Sequence, residues 1–328
     1  MDFEGVKRAI EKANSAAIFT HTNMDGDAVG SSRALCLLLR KLGKRCSVIL
    51  EDAFPERYAF MKGEDMFIGL EDYEGGRDLA IAVDLGELPR LEGRKEAFLT
   101  SPVHAFIDHH IEKESYEGLR IVNSETAAAS QLVLELIEYI DPALMDRDIA
   151  EALYVGITTD TGTFRYVNAD KSSLLAAARL YDYGIRHSEI CTTIYENYPE
   201  AQLKLESLAL ERAKIFAGGR AVISYCTLDD LERFGATHEM TDTCIDRIRI
   251  IEGVEIACFI KERKKGYLKI SLRSKYDMQV TDIAIDFGGG GHPKAAGCTM
   301  NCGIEEAIEK MSEAMEKKLA REPVGKPL

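Results

Sequence analysis

The chain has 328 residues, 46% of them apolar, and a formal net charge of −14. At about 150 residues per domain this length predicts two domains with a core each, and the apolar fraction excludes wholesale disorder. The acidic balance makes long duplex nucleic acid a poor partner. No run approaches the ~18 consecutive apolar residues of a membrane span, so no membrane partner is expected either.

Met1 to Ser15 reads as a charged amphipathic helix without the apolar core of a signal peptide, which makes the cytoplasm the expected location. Short apolar runs then alternate with helical patterns, the signature of βαβ units and a parallel sheet. Strands are predicted at Ala16 to Thr20, Cys46 to Leu50, Leu79 to Val83 and Val103 to Ile107. Helices are predicted at Ala28 to Leu42, Glu125 to Ile140, Asp148 to Ile157 and Lys171 to Tyr183. A polar-rich helical stretch containing Pro199 follows and reads as a connector.

Beyond it, Ala221 to Tyr225, Glu255 to Lys261 and Tyr267 to Leu272 read as strands, the last two joined by a Lys264-Lys265-Gly266 hairpin signal. A helix from Thr281 to Phe287 runs into four glycines, Gly288 to Gly291, and a closing strand and the helix Ile304 to Leu319 complete a smaller α+β domain. The division is therefore an α/β parallel-sheet domain over 1–186, a helical connector over 187–214 and an α+β domain over 215–328, with a frayed tail after Arg321. The eight cysteines contain no C-x-x-C pair and read as reduced, incidental thiols.

The chemistry lies in where acidic and imidazole groups fall. His21 follows the first strand, Asp84 the third predicted strand, and Asp108-His109-His110 the fourth; Asp25 and Asp27 enter the first long helix, and Asp160 ends another helical run. Open parallel sheets bind ligands beyond the carboxyl ends of their strands, so these groups are expected at one edge. Converging carboxylates repel unless cations neutralise them, which points to metal. Singly, each has an ordinary reading: Asp25-Gly26-Asp27 as a turn and helix cap, Asp84 as a strand-ending turn, Asp160 as a helix end. Their joint occurrence favours a site. Oxygen and nitrogen ligands without thiolates suit manganese better than zinc, with magnesium or another divalent ion left open.

His21-x-x-x-Asp25-x-Asp27, Asp84, Asp108-His109-His110 and Asp160-Thr161-Gly162 resemble the four ordered motifs of the DHH phosphoesterase superfamily. Gly289-Gly290-Gly291-His292-Pro293-Lys294-Ala295-Ala296-Gly297 resembles the signature of the associated DHHA1 domain. The resemblance covers nearly the whole chain and is nearest to NrnA-type enzymes, which are nanoRNases and phosphatases of 3′-phosphoadenosine 5′-phosphate (pAp). It implies two manganese ions, one held by His21, Asp25 and Asp84, the other by Asp27, Asp84, His109 and Asp160. It implies that His110 acts on the phosphate and that Asp108 orients the neighbouring histidines. An in-line attack by water activated between the ions would follow. Arg273, Gly289, Gly290, Gly291 and His292 would grip the rest of the substrate, although Arg273 alone reads equally well as a surface salt-bridge residue.

The expected partners are short RNA oligonucleotides or small nucleotide phosphates. A cyclic- or linear-dinucleotide phosphodiesterase is the alternative within the same class. A catalytically inactive nucleotide-binding regulatory protein is the alternative outside it, disfavoured because no ligand is missing. The oligomeric state is left open, a homodimer included.

Overall fold

The structure, a computed structural model, describes residues 1–111, 117–276 and 278–321; the tail expected to fray lies outside the described residues. The chain divides into two units, Met1–Asn197 and Tyr198–Leu328.

The first unit is built on six strands, β1 (Ser15–Phe19), β2 (Arg45–Leu50), β3 (Phe67–Gly69), β4 (Leu79–Val83), β5 (Val103–Asp108) and β6 (Leu119–Val122), in the order β3-β2-β1-β4-β5-β6. Every pairing is parallel. The helices are α1 (Phe3–Lys12), α2 (Gly26–Lys41), α3 (Lys95–Leu99), α4 (Ala129–Ile140), α5 (Arg147–Asp160), α6 (Lys171–Tyr181) and α7 (His187–Tyr195). β1 and β4 are buried along their whole length, as strands covered on both faces must be. Ile18 and Ile81 join the larger core with α2, α4 and α5, while Phe19, Ala80 and Ala82 pack on the other side with Leu91 and Phe98.

Chain direction reverses at the centre of this sheet. From β1 it winds outwards through β2 and β3, then returns to place β4 on the other side of β1. The crevice beyond the carboxyl ends of β1 and β4 is thus the topological switch point where such sheets bind ligands.

α2 and α5 cross at very close range. A Cβ on Gly30 would collide with the Ala152 carbonyl oxygen and lie 2.8 Å from the Gly156 nitrogen. One on Gly156 would collide with Ser130 Oγ and lie 2.6 Å from Asp27 Oδ1. This crossing carries Asp27, in the first turn of α2, towards Asp160, the last residue of α5.

Three expectations are corrected here. β3 and β6, three and four residues long, are absent from the predicted strands because so short a run has no readable period. α4 begins at Ala129 rather than Glu125, where the remote Asp27 carboxylate accepts its first N–H groups in place of a local cap. The polar helical stretch is two helices, broken between Glu196 and Pro199: α7 lies in the first unit and α8 (Glu200–Glu211) in the second.

The second unit holds a mixed sheet of β7 (Lys214–Phe216), β8 (Ala221–Cys226), β9 (Ile256–Lys264), β10 (Tyr267–Ser274), β11 (Gly290–His292) and β12 (Ala295–Met300), in the order β11-β12-β10-β9-β8-β7. α8, α9 (Leu228–Phe234) and α10 (Cys244–Arg249) cover one face through Leu205, Leu231 and Ile248. α11 (Thr281–Asp286) and α12 (Ile304–Arg321) cover the other through Ile283, Met311 and Met315. Among the described residues no helix is long and apolar enough to cross a membrane.

Glycine to alanine within a helix ordinarily stabilises by about 1 kcal/mol. At Gly30 the sign should reverse: Gly30→Ala is expected to destabilise by about 1–3 kcal/mol through overpacking, read by urea unfolding. A gain in stability would contradict the close crossing of α2 and α5.

Candidate metal centre

His21 leaves the end of β1, 6% exposed. Its Nδ1 lies 2.7 Å from the Thr22 carbonyl oxygen, which can only accept, so Nδ1 carries the hydrogen. Nε2 then faces Asp25 Oδ2 at 3.7 Å and Asp84 Oδ2 at 3.6 Å. Asp25 is the N-cap of α2, its Oδ1 accepting the Asp27 and Ala28 N–H groups at 3.0 Å each. The cap reading is realised on Oδ1, and Oδ2 is left facing His21.

Asp27 is 1% exposed. Its Oδ2 accepts the Ala129 N–H at 2.5 Å, and its Oδ1 accepts Ser130 N–H at 3.0 Å and Ser130 Oγ at 2.5 Å. The missing N-cap of α4 is thus supplied by a carboxylate a hundred residues earlier, at the end of the helix dipole that favours an anion.

Asp84 follows β4 with φ +53°, in the left-handed region where Asp is among the tolerated residues. It is 2% exposed, and its Oδ1 has no hydrogen-bond partner among the described residues. His109 Nε2 lies 3.4 Å from that oxygen and His110 Nδ1 3.5 Å from it. His109 Nε2 also lies 4.0 Å from Asp27 Oδ2 and 3.8 Å from Asp160 Oδ2, while its Nδ1 faces the Thr126 carbonyl oxygen at 3.3 Å. Asp108 Oδ1 accepts from His110 Nδ1 at 2.7 Å, and its Oδ2 accepts the Leu85 and Gly86 N–H groups. Asp108 was expected to orient both histidines; it holds His110, and a backbone carbonyl holds His109.

Three groups of side chains bring ligand atoms within 4.8 Å of one another: His21, Asp25 and Asp84; Asp27, His109 and Asp160; and Asp84, His109 and His110. Asp84 is shared by the first and third. The electrostatics show what these groups lack. Burial pushes the Asp27 carboxyl well up, and the charges of Asp84 and Asp160 push it further. Burial raises Asp160 to about 7; Asp84 and Asp25 add to it and His109 opposes. Burial disfavours protonation of His21 and His109, yet the surrounding carboxylates outweigh it and raise both to about 10. Burial raises Asp108 too, but its bond to His110 prevails and brings it down to about 2. A cluster that holds protons this firmly is short of positive charge. A buried carboxylate oxygen without a partner, nitrogen donors with fixed tautomers and oxygen donors around them fit a divalent cation.

In the second unit, Arg273 on β10 and His292 on β11 both pair with Ala295 of the intervening β12. The two side chains therefore stand on one row across three strands. Of the glycine run, Gly290 and Gly291 belong to an edge strand rather than to a loose turn. Gly291 has φ +143°, and a Cβ there would lie 2.5 Å from the Ala295 carbonyl oxygen. One on Gly289 would collide with the Gly297 carbonyl oxygen. Gly289 and Gly291 are required by close strand contact, whereas a Cβ on Gly290 would meet open space.

Ser130, Thr126 and Asn168 escape a sequence reading. Asn168 Nδ2 lies 3.1 Å from the Asp160 carbonyl oxygen. The only available signals are a serine in the first turn of an otherwise apolar helix and an amide a few residues past Asp160.

A family model described as "DHH family, N-terminal domain" matches residues 15–157, and one described as "DHHA1 domain" matches residues 218–321. The chain is 31% identical over 309 residues to a bifunctional oligoribonuclease and PAP phosphatase NrnA of Thermus thermophilus, covering 93% of this chain and 90% of that protein. It is 25% identical over 297 residues to the NrnA of Bacillus subtilis, covering 89% and 91%. A solved exopolyphosphatase-related protein from Bacteroides fragilis superposes with a TM-score of 0.91 at 28% identity, covering 98% of this chain and 97% of that one. An exonuclease RecJ bound to manganese, at 17% identity and a TM-score of 0.56, covers 98% of this chain and 95% of that one and shares the fold. The chain belongs to the DHH–DHHA1 phosphoesterase family, among the NrnA-type proteins. It is accordingly a phosphoester hydrolase.

The proton-holding cluster has a measurable consequence. His21 and His109, raised to about 10, and Asp160, raised to about 7, all bind protons more tightly folded than unfolded. Stability of the metal-free protein is therefore expected to fall as pH rises from about 6 to about 10. Added divalent cation should flatten that slope by taking the place of the protons. Thermal unfolding at stepped pH in chelator checks this; stability rising across the window would contradict it.

Proposed function

We propose that this phosphoesterase hydrolyses short oligoribonucleotides and pAp with two divalent cations, manganese foremost, held by His21, Asp25, Asp27, Asp84, His109 and Asp160. The supporting observation is Asp84, a buried carboxylate with one partnerless oxygen, facing His21 through Oδ2 and His109 through Oδ1. Bound there, the cations would lower the pKa of an attacking water and neutralise charge developing on phosphoryl oxygens. The substrate class follows the relatives: those of Thermus and Bacillus are named for oligoribonuclease and PAP phosphatase activity.

The chain's own groups divide the remaining work. Asp108 fixes His110 by accepting from Nδ1, which leaves Nε2 as the atom that meets the phosphate or its leaving oxygen. His21 and His109 give their Nδ1 hydrogens to backbone carbonyls and present Nε2 to the carboxylates. In this reading the first unit carries the chemistry and the second binds substrate. Arg273, from the row it shares with His292, offers a planar fork to a distal phosphate. Gly289, Gly290 and Gly291 let backbone approach the same ligand. The cytoplasm is the location proposed with it.

A manganese-supplemented panel of pAp, a ribodinucleotide, a cyclic dinucleotide and pyrophosphate tests the assignment. Turnover of pAp and the linear ribodinucleotide is expected to lead, and Asp84→Ala should reduce both by at least ~10⁴-fold through loss of the shared ligand. Preference for pyrophosphate, or an active Asp84→Ala variant, would contradict it.

A further inference from the structure

Asn168 joins Asp160 to the backbone segment that supports two other metal-site side chains from separate parts of the chain. Its Nδ2 lies 3.1 Å from the Asp160 carbonyl oxygen, 3.2 Å from the Ala127 carbonyl oxygen and 3.5 Å from Asp160 Oδ2. An amide has two hydrogens, so the two backbone carbonyls take the closer bonds and the carboxylate is the third, longer contact. The end of α5 is thereby stitched to the segment that opens α4.

That segment backs the other two members of the same group. Thr126 offers its carbonyl to His109 Nδ1, and Ala129 and Ser130 donate to Asp27. The peptide between them is held from both directions, its Ala127 N–H by Gln131 Oε1 at 3.2 Å and its Ala127 carbonyl by Asn168. Asp27, His109 and Asp160 are one of the groups whose ligand atoms gather within 4.8 Å. The group of His21, Asp25 and Asp84 is backed by other contacts: the Thr22 carbonyl, the first N–H groups of α2, and a bond from Asp84 N–H to the Ile107 carbonyl at 3.1 Å.

The backbone is shaped to bring Asn168 home. After Asp160 and Thr161 come three successive left-handed residues, Gly162 at φ +56°, Thr163 at +58° and Phe164 at +59°. A β-branched and an aromatic residue in that region are strained, and such strain persists only where the surroundings impose it. Here Arg165 and Tyr166 both donate their N–H to the Thr161 carbonyl at 3.0 Å, and Arg165 Nε returns to the Gly162 carbonyl at 2.7 Å. The chain is folded back under Asp160 within a few residues.

We propose that Asn168 is a positioning residue for one half of the metal centre, setting the spacing of Asp27, His109 and Asp160 and leaving His21, Asp25 and Asp84 untouched. The inference rests on the metal reading above and adds to it an asymmetry between the two ion sites. It is tested on the full chain by titrating Mn2+ into metal-free protein, with calorimetry for the binding steps and electron paramagnetic resonance for the spin-coupled pair. Wild type should bind two ions. In Asn168→Ala one step should weaken by about 10–100-fold, the other should hold, and the coupled-pair signal should appear only at correspondingly higher Mn2+. The unfolding midpoint of the metal-free variant should fall by only a few degrees through loss of the two backbone bonds, whereas a merely structural link would lower it without separating the two binding steps. Asn168→Leu keeps nearly the same volume and removes the donors without adding charge, so it reports the same outcome if the alanine variant folds poorly. Two unchanged steps, or both steps weakening together with the midpoint, would overturn the role of Asn168 while leaving the metal reading intact. A wild-type chain that binds no ion pair would overturn both.

Discussion

Everything about the first unit turns on one unfavourable interaction, the crowding of carboxylates around Asp84. Asp27 and Asp84 are almost fully buried, Asp160 lies nearby, and burial together with mutual repulsion drives Asp27 and Asp160 towards protonation. Proteins do not assemble such a cluster for stability, because each desolvated charge costs free energy that only a counter-charge offsets. Imidazoles at His21 and His109 take up protons as a partial remedy. Divalent cations would be the full remedy, and in the proposed reading the same cations would supply the chemistry.

The fold supplies what this arrangement needs. Strand β1 places His21 and the adjacent β4 places Asp84 on opposite sides of the switch point, while β5 brings Asp108, His109 and His110 alongside. The helices complete the ring. Gly30 and Gly156 let α2 and α5 touch through their backbones, and the N-terminus of α4 meets Asp27 with two N–H groups and a hydroxyl. Asp27 is thus held by a helix dipole against the charges that oppose it. The same contact caps a helix that has no cap of its own.

Much of this was legible in the sequence because the parallel sheet writes itself as short apolar runs and the site falls directly after them. His21, Asp84 and Asp108 could be placed at strand ends by counting alone. What could not be read has physical causes. β3 and β6 are too short to show a period, and their pairing is decided by neighbours. The start of α4 was misplaced at Glu125 because its cap, Asp27, is remote in sequence. The glycine run shows no strand period in the sequence, yet Gly290 and Gly291 are strand residues, and close contacts at Gly289 with the Gly297 carbonyl and at Gly291 with the Ala295 carbonyl leave no room for a side chain at those two positions. Asn168 carries no motif; its role exists only once α5 and the Thr126 to Ser130 segment are side by side.

The ordinary readings of single residues did not lose to the functional ones. Asp25 is both a helix cap and a candidate ligand, using one oxygen for each. Asp160 ends a helix and faces His109. Local structure and candidate chemistry share the same side chains through different atoms. The most direct measurement is anomalous diffraction at the manganese absorption edge from crystals grown with Mn2+. Two peaks are predicted, both ligated by Asp84, one with His21 and Asp25 and the other with Asp27, His109 and Asp160. No peak at this strand edge, or ions bound without Asp84, would contradict the dinuclear centre.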